Sequence, residues 1–392
     1  METYVTKTEI QAPQQISPRK HFKSSKSNIR INNLFDFEKD NNDLDKLDNL
    51  DFNIFEFEKK VGRENVLSMV FTEVIEQLVS AKGEWITIKR EKLKNFIKEI
   101  HNGYLDNNPY HNSLHAADVT QTLLAWCTKT DLAKIFEFSK YELLAIYTSG
   151  IAHDFKHPGL NNNYIMNSTS QIAITYNDKS VLENYHVSET FKVLLNPDNN
   201  IFEYLSVEDF KILRKRIIEA ILATDMSFHF QSFSLLKAKL DHLEVYEGKN
   251  TDKIINNSKN ATIFSEQQEI INFLFHTADI SHNTKDWEIS KIWSKNIYEE
   301  FFNQGDLEKK QGLPISMLCD RETTNIAKSQ QGFIAGIISP TFTLLVRFLP
   351  PLHSLITNIE KNTEKWERLE NKRKETLKEL KSLKELKDFL KK

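Results

Sequence analysis

Residues 147–162 read YTSGIAHDFKHPGLNN, and three of them decide how the whole chain is read. His153 and Asp154 are adjacent, and His157 follows one helical turn later. Neutral imidazoles and carboxylates are the ligand set for zinc and harder divalent ions, and a carboxylate readily bridges two of them. Upstream, NPYHNSLHAADVTQT (108–122) places His111 and His115 at i and i+4, on one face of a helix and near enough to serve one site. Downstream, in FLFHTADISH (273–282), Asp279 follows an apolar helical run and His276 precedes it by three. Three separated clusters, each on a predicted helix and each offering His or Asp, are what a metal site in a bundle core requires.

Composition narrows the class. The chain has 392 residues, 27% charged and 40% hydrophobic, which suits a globular protein with a sizeable core. A net charge of −3 and a pI near 6.5 give no basic field for nucleic acid. Only Cys127 and Cys319 occur, far apart and outside any CxxC, which fits a reducing compartment. No apolar run reaches about 18 residues and no signal-peptide stretch opens the chain, so a cytoplasmic protein without a membrane span is expected. With 10 glycines and neither a GxGxxG nor a P-loop, Gly-rich phosphate cradles and turn-heavy β folds are disfavoured.

From the N-terminus, residues 1–60 read as a mostly disordered region. It carries a basic patch (Arg19, Lys20, Lys23, Lys26, Arg30), then an Asp/Asn/Lys-rich stretch whose phenylalanines Phe35, Phe37, Phe52, Phe55 and Phe57 would dock on the body. The patch is a solvated tail or, alternatively, a regulatory, calmodulin-like binding segment. Val66, Val70, Val74 and Leu78 repeat every four residues before Gly83. Ser139–Glu142 is a capping box, Ser206–Asp209 and Ser265–Gln268 resemble caps, and Ile289, Trp293, Ile297 and Phe301 form an apolar stripe. Without sustained period-two alternation, an all-α architecture is predicted. Residues 247–260 read as a surface insertion. Residues 356–392 read as a charged amphipathic helix with Leu377, Leu380, Leu383, Leu386 and Leu390 on one side, packing on its own body or serving a homodimer or partner.

Over residues 61–355 the chain resembles the catalytic domain of the class I 3′,5′-cyclic nucleotide phosphodiesterases, nearest the calmodulin-stimulated, dual-specificity branch. The resemblance rests on HDFKHPGLNNNY, NPYHNSLHAADVTQT, YNDKSVLENYHVS, LATDMSFHF, HTADISH, EEFFNQGD, GLPISMLCDR and SQQGFI, in that family's order. It implies a compact helical domain with two divalent ions at the bottom of a pocket: zinc at the tighter site, magnesium or manganese at the second, and a water between them activated for attack. His115, His153, Asp154 and Asp279 would be the ligands, with Asp154 bridging. His111 would be the general acid, and His157 would sit beside the bridging water. Glu183, Asn162, Asp225, Met226, Tyr110 and His282 match pocket positions. Gln330 matches the purine-binding glutamine, Phe333 the stacking ring and Ile297 the opposing clamp, with Phe301 beside it. The neighbouring Gln331 leaves open which amide reaches the base, although the spacing to Phe333 favours Gln330.

The chemistry agrees with that resemblance. A cyclic phosphodiester is an anion with a poor alkoxide leaving group, so its hydrolysis needs charge neutralisation, an activated water and a proton donor. The expected activity is hydrolysis of cAMP, cGMP or both to 5′-monophosphates. A different metal-dependent nucleotide phosphohydrolase would share the metal residues but have no use for the Gln330, Phe333 and Ile297 slot. A non-catalytic nucleotide-binding module would have no need of all four ligands and His111. By the resemblance, the residue eleven after Asp279 anchors the glutamine; here it is the short Ser290, and His282 matches the dual-specificity branch, so both favour a rotatable amide and modest discrimination between the two nucleotides, with Ser329 or a water as the alternative hold.

Overall fold

Strong caps and four-residue apolar repeats build the chain almost wholly from helices, with no strand among the described residues. The computed structural model describes residues 43–80, 86–247 and 267–390, without the side chains of 79–80, 243–247 and 383–390. The helices used below are α1 (Ile54–Val61), α2 (Arg63–Ser80), α3 (Arg90–Gly103), α4 (Ser113–Thr130), α5 (Lys140–Ala152), α6 (Val181–Leu194), α7 (Val207–Leu222), α8 (His229–Glu247), α9 (Gln267–Asp279), α10 (Trp287–Gln311), α11 (Ile326–Phe333), α12 (Ser339–Phe348) and α13 (Ser354–Leu390). Helix α5 lies at the centre, packed on α2, α4 and α7, while α9 packs on α4, α5 and α7. The three clusters of His and Asp therefore sit on mutually touching helices.

Local chemistry sets where each of these helices begins. Asn112 Oδ1 accepts from the amides of Leu114 and His115, which starts α4 two residues before His115. The Ser139–Glu142 capping box starts α5, which ends at Ala152, just before His153. Ser206 caps α7 through Asp209 N, as its sequence indicated. The four-residue repeat of α2 is buried throughout, from Val66 to Leu78. The proposed stop at Gly83, the cap at Ser265 and the insertion after Glu247 lie outside the described residues.

The N-terminal expectation needs correction. Residues 1–42, with the basic patch, Phe35 and Phe37, lie outside the described residues, but residues 43–61 are folded rather than disordered. Leu47, Phe52, Ile54, Phe55 and Phe57 are buried, and Gln121 of α4 donates to the carbonyls of Leu47 and Asn49. Burial of five large apolar side chains outweighs a polar composition, at roughly 1.5–3 kcal/mol each.

The C-terminal end also differs from its expected boundary. Helix α13 starts at Ser354, and Leu355, Ile359, Asn362, Trp366 and Glu370 are buried against the body. Asn362 Nδ2 donates to the carbonyls of Asn283 and Lys285, so this helix clamps the turn that follows α9. Beyond this packed stripe Leu377 and Leu380 are exposed; Leu383, Leu386 and Leu390 fall among the side chains not described. The expectation that no stretch reaches spanning length is narrowed too. Ile326–Phe348 forms one helical run long and apolar enough to cross a membrane by length and composition, because Lys328, Gln330 and Arg347 interrupt the run without lowering its average enough. Its Ile334, Ile338, Phe342, Leu344 and Leu345 are buried in the body.

Gly150 lets α4 and α5 approach. A Cβ there would lie 2.5 Å from Thr120 Oγ1 and 3.3 Å from the Thr120 backbone. Gly150→Ala is expected to destabilise the protein by about 1–3 kcal/mol through overpacking. It should also weaken divalent-metal binding, because it pries His115 from His153. Calorimetry with metal titration checks this, with Gly332→Ala, whose Cβ meets nothing within 4 Å, as the control.

Candidate active site and metal centre

The ends of α4, α5 and α9 bring four side chains to one point. His115 Nε2 lies 3.0 Å from Asp279 Oδ1, 3.3 Å from His153 Nε2 and 3.6 Å from Asp154 Oδ2. His153 Nε2 lies 3.1 Å from Asp154 Oδ2 and 3.2 Å from Asp279 Oδ1. Ligands at about 2.0–2.2 Å from one ion sit roughly 3.0–3.5 Å from each other, so these spacings fit the edges of a coordination shell. Two further observations support the fit. His153 Nδ1 faces the Gly150 carbonyl at 3.0 Å, which turns the Nε2 lone pair inward. Asp154 Oδ2 is buried without a hydrogen-bond partner, although His153 Nε2 is close by.

The electrostatics also call for a cation. Burial would push the Asp154 carboxyl up, but the charges of His153 and His111 hold it well below its ordinary range. For Asp279 the same opposition, with His153 and His115 as the neighbours, leaves the carboxyl lowered. His153 is raised well above its ordinary value because Asp154 and Asp279 outweigh its burial.

Above this cluster opens a cleft of about 870 Å³. It is lined by His111, His157, Tyr110, Asn162, Glu183, Asp225, Met226, His282, Ile297, Phe301, Gln330 and Phe333, together with Asp154 and Asp279. His115 and His153 lie buried with the other two ligands. All the predicted site residues are thus gathered in one place. Gln330 lines the cleft and Gln331 does not. His282 lines it with its ring nitrogens facing Tyr110 Oη at 3.4 Å and Asn283 Nδ2 at 3.0 Å. Burial holds His282 down at about 3, so it is neutral.

Two site residues escaped the sequence reading. Glu300 of α10 accepts from the amides of Tyr110 and His111, each at 3.0 Å, and pairs with His111 Nδ1. Burial alone would lower the His111 pKa, but the Glu300 and Asp154 charges overcome it and raise it to about 9. Glu300 is drawn down to about 2 against its own burial, chiefly by His111. The available signal was a carboxylate three residues past Ile297 in an otherwise apolar stripe. His186 is the second: its Nδ1 faces the Phe155 carbonyl at 2.8 Å, its Nε2 lies 3.9 Å from Asp154 Oδ1, and its ring stacks on His157. It sits in the quoted YNDKSVLENYHVS motif, where only Glu183 was singled out.

His157 stacks on His111 with centroids 4.0 Å apart, and its Nδ1 accepts from the Gly159 amide. Burial and the His111 charge keep it neutral. Glu183 is pushed up to about 7 by burial and by Asp225, with Asn162 Nδ2 donating to both of its oxygens.

Comparison with known proteins agrees with this arrangement. Residues 110–359 match the family model of the 3′5′-cyclic nucleotide phosphodiesterases. The mouse dual specificity calcium/calmodulin-dependent 3′,5′-cyclic nucleotide phosphodiesterase 1B is 38% identical over 305 residues, 78% of this chain and 52% of that protein. The human 1C relative is 37% identical over 306 residues, 77% of this chain and 40% of that protein. The chain thus spans about half or less of the length of these relatives. The phosphodiesterase domain of the Salpingoeca rosetta rhodopsin phosphodiesterase superposes with a TM-score of 0.72 at 30% identity, covering 84% of this chain and 94% of that one.

The His111–Glu300 pair generates a pH prediction. Removing the Glu300 charge takes away the largest influence that opposes burial and leaves only Asp154 and Asp279 against it, so Glu300→Gln should lower the His111 pKa from about 9. The imidazolium would then be lost at correspondingly lower pH. An NMR titration of His111 in wild type and variant tests this, and an unshifted titration would remove Glu300 as the cause.

Proposed function

Because the chain belongs to the 3′,5′-cyclic nucleotide phosphodiesterase family, we propose that its cleft binds cAMP or cGMP and hydrolyses the bond from phosphorus to O3′, releasing the 5′-monophosphate. The observation that carries this reading is the placement of a buried His₂Asp₂ cluster, a charged His111 and a glutamine-bearing slot on one cleft. His115, His153, Asp154 and Asp279 would hold divalent ions, zinc at the tighter position and magnesium or manganese at a second. Such ions neutralise phosphate charge and activate water for attack.

The protein's own part is positioning and proton transfer. Nδ1 of His111 is committed to Glu300, so Nε2–H is the proton left to give, and it goes to O3′ as the phosphorus–O3′ bond breaks. Glu300 keeps that proton in place at neutral pH and fixes the ring. His157, neutral and stacked on His111, completes the wall. Asn162 holds Glu183 toward the metal end of the cleft, where Glu183 would support bound water. At the other end, Ile297 and Phe333 clamp a flat purine and Gln330 meets its polar edge.

The absence of paired cysteines among the described residues supports a cytoplasmic setting. The mouse and human relatives are named as calcium/calmodulin-dependent, and the segment of this chain suited to such a partner is the basic stretch Arg19–Arg30.

Purified protein should hydrolyse cAMP, cGMP or both in a metal-dependent manner. Asp154→Ala should abolish turnover and lower bound metal; near-normal activity in that variant would sink the assignment. His115→Ala should likewise strip metal. His111→Ala should retain it and slow turnover by about 10²–10⁴-fold, with a substrate bearing a good leaving group recovering much of the loss. Metal loss in His111→Ala would mean that the two histidines are misassigned.

A further inference from the structure

Residues 43–61 lie outside the span 110–359 that matches the family model, yet two chains of contact run from them to the two sides of the metal cluster. The first is aromatic. Asn53 Oδ1 accepts from the amides of Phe55 and Glu56, which starts α1 and fixes Phe55 in its first turn. The Phe55 ring packs on Trp293 of α10 with centroids 4.8 Å apart. Trp293 in turn packs edge-on against His115 at 5.8 Å and Tyr110 at 5.3 Å, and Tyr110 lies on His115 at 4.5 Å. Trp293 is 1% exposed, and its Nε1 has no hydrogen-bond partner among the described residues, so ring packing alone orients the indole.

The second chain is polar. Gln121 follows His115 by six residues on α4, and Lys285 follows Asp279 by six. Gln121 Nε2 donates to the carbonyls of Leu47 and Asn49 at 2.8 and 2.9 Å, while its Oε1 accepts from Lys285 Nζ at 3.3 Å. Lys285 is buried and also donates to Asp118 and Thr122 of α4. One buried amide thus joins the N-terminal segment, α4 and the turn after Asp279.

The two imidazoles of the cluster differ in what orients them. His153 is set by the Gly150 carbonyl facing its Nδ1. Among the described residues, the polar contacts of the His115 ring are all made through Nε2, inside the cluster, which leaves its tilt to the rings of Tyr110 and Trp293. We infer that residues 43–61 are a positioning element of the metal centre. Phe55 sets the His115 ring through Trp293, and the Leu47 and Asn49 carbonyls steady the turn after Asp279 through Gln121 and Lys285. Divalent-ion affinity therefore depends on a segment that supplies none of the four ligands. The inference rests on the metal reading of the His₂Asp₂ cluster.

The test uses the full chain, stripped of metal and titrated with Zn²⁺ against a chelator, with unfolding followed in parallel. Phe55→Leu should weaken zinc binding by about three- to tenfold, below the roughly 10–100-fold effect of losing a ligand's hydrogen-bond partner. It should also shift the visible spectrum of the Co²⁺-loaded protein, which reports ligand geometry. In a Trp293→Leu background Phe55→Leu should weaken binding no further, because the relay is already cut. Phe96→Leu, which removes a fully buried ring paired with Phe71 at 6.3 Å, should lose comparable stability with zinc affinity and Co²⁺ spectrum unchanged. Should Phe55→Leu fail to fold, Gln121→Met carries the same expectation. Zinc affinity unchanged in the folded variant, or weakened equally in Phe96→Leu, overturns the inference while leaving the metal reading standing. Absence of divalent-ion binding by the wild type overturns both.

Discussion

Two imidazoles and two carboxylates, drawn from three helices, converge until their donor atoms stand 3.0–3.6 Å apart. That convergence is expensive without a cation, because the lone pairs of Asp154 Oδ2 and His153 Nε2 point into the same space. The rest of the fold can be read as what makes it attainable. The Asn112 cap fixes the start of α4, and the capping box fixes the start of α5. Gly150 permits close approach of the two. The turn after Asp279 is then tied down by α13 through Asn362, and by Lys285, which is buried on Asp118 and Thr122 of α4. A residue far from the cluster in sequence thus decides its geometry, as expected of a site assembled from facing helices.

Around the cluster, the histidines are sorted by which of them owns a carboxylate. His111 has Glu300 and stays charged, while His157, His186 and His282 are neutral because burial is unopposed by a dedicated partner. His111, His157 and His186 stack in series, at 4.0 Å and then 5.4 Å. The charge on the first makes a second charge on its neighbour unfavourable. One imidazolium therefore faces the cleft, which suits a single directed proton transfer and discourages a diffuse positive patch.

Much of this was legible in the sequence because its signals are short-range. Caps, four-residue apolar repeats and the spacings of His and Asp are all properties of neighbouring residues, and they gave the helices and the three His/Asp clusters, whereas the choice of four ligands and the cleft-lining set came from the resemblance to the family. Glu300 was hidden for the opposite reason. It looks like a polar interruption of a helix stripe until α10 is laid against Tyr110, and its partner His111 is 189 residues away in sequence. The docking of Phe52, Phe55 and Phe57 was expected, but the stretch 43–61 was read as mostly disordered because its Asp, Asn and Lys content dominates the composition. The burial of Phe52, Phe55 and Phe57 is settled by a surface, formed by α4 and Trp293, that composition cannot reveal.

Helix α10 joins the two ends of the proposed chemistry. Ile297, Glu300 and Phe301 fall at i, i+3 and i+4 and so share a face, with Ile297 and Phe301 walling the slot and Glu300 holding His111. Tyr298 sits one residue on from Ile297 and also lines the cleft. The same helix anchors the loop after it: Glu308 accepts from Ser316 N at 2.7 Å and Ser316 Oγ at 2.6 Å, and Glu299 and Asp306 hold Arg321. That loop supplies Leu318, in a left-handed conformation (φ 69°), to the cleft wall. Strain of this kind persists only where the surroundings over-determine the backbone, and the paired anchors at Glu308 and Arg321 do so. Because the cleft-wall residues Ile297 and Phe301 and the carboxylate that holds His111 share one rigid helix, a displacement of α10 would alter the proposed purine slot and the placement of His111 together, and neither could be retuned by moving the helix without cost to the other.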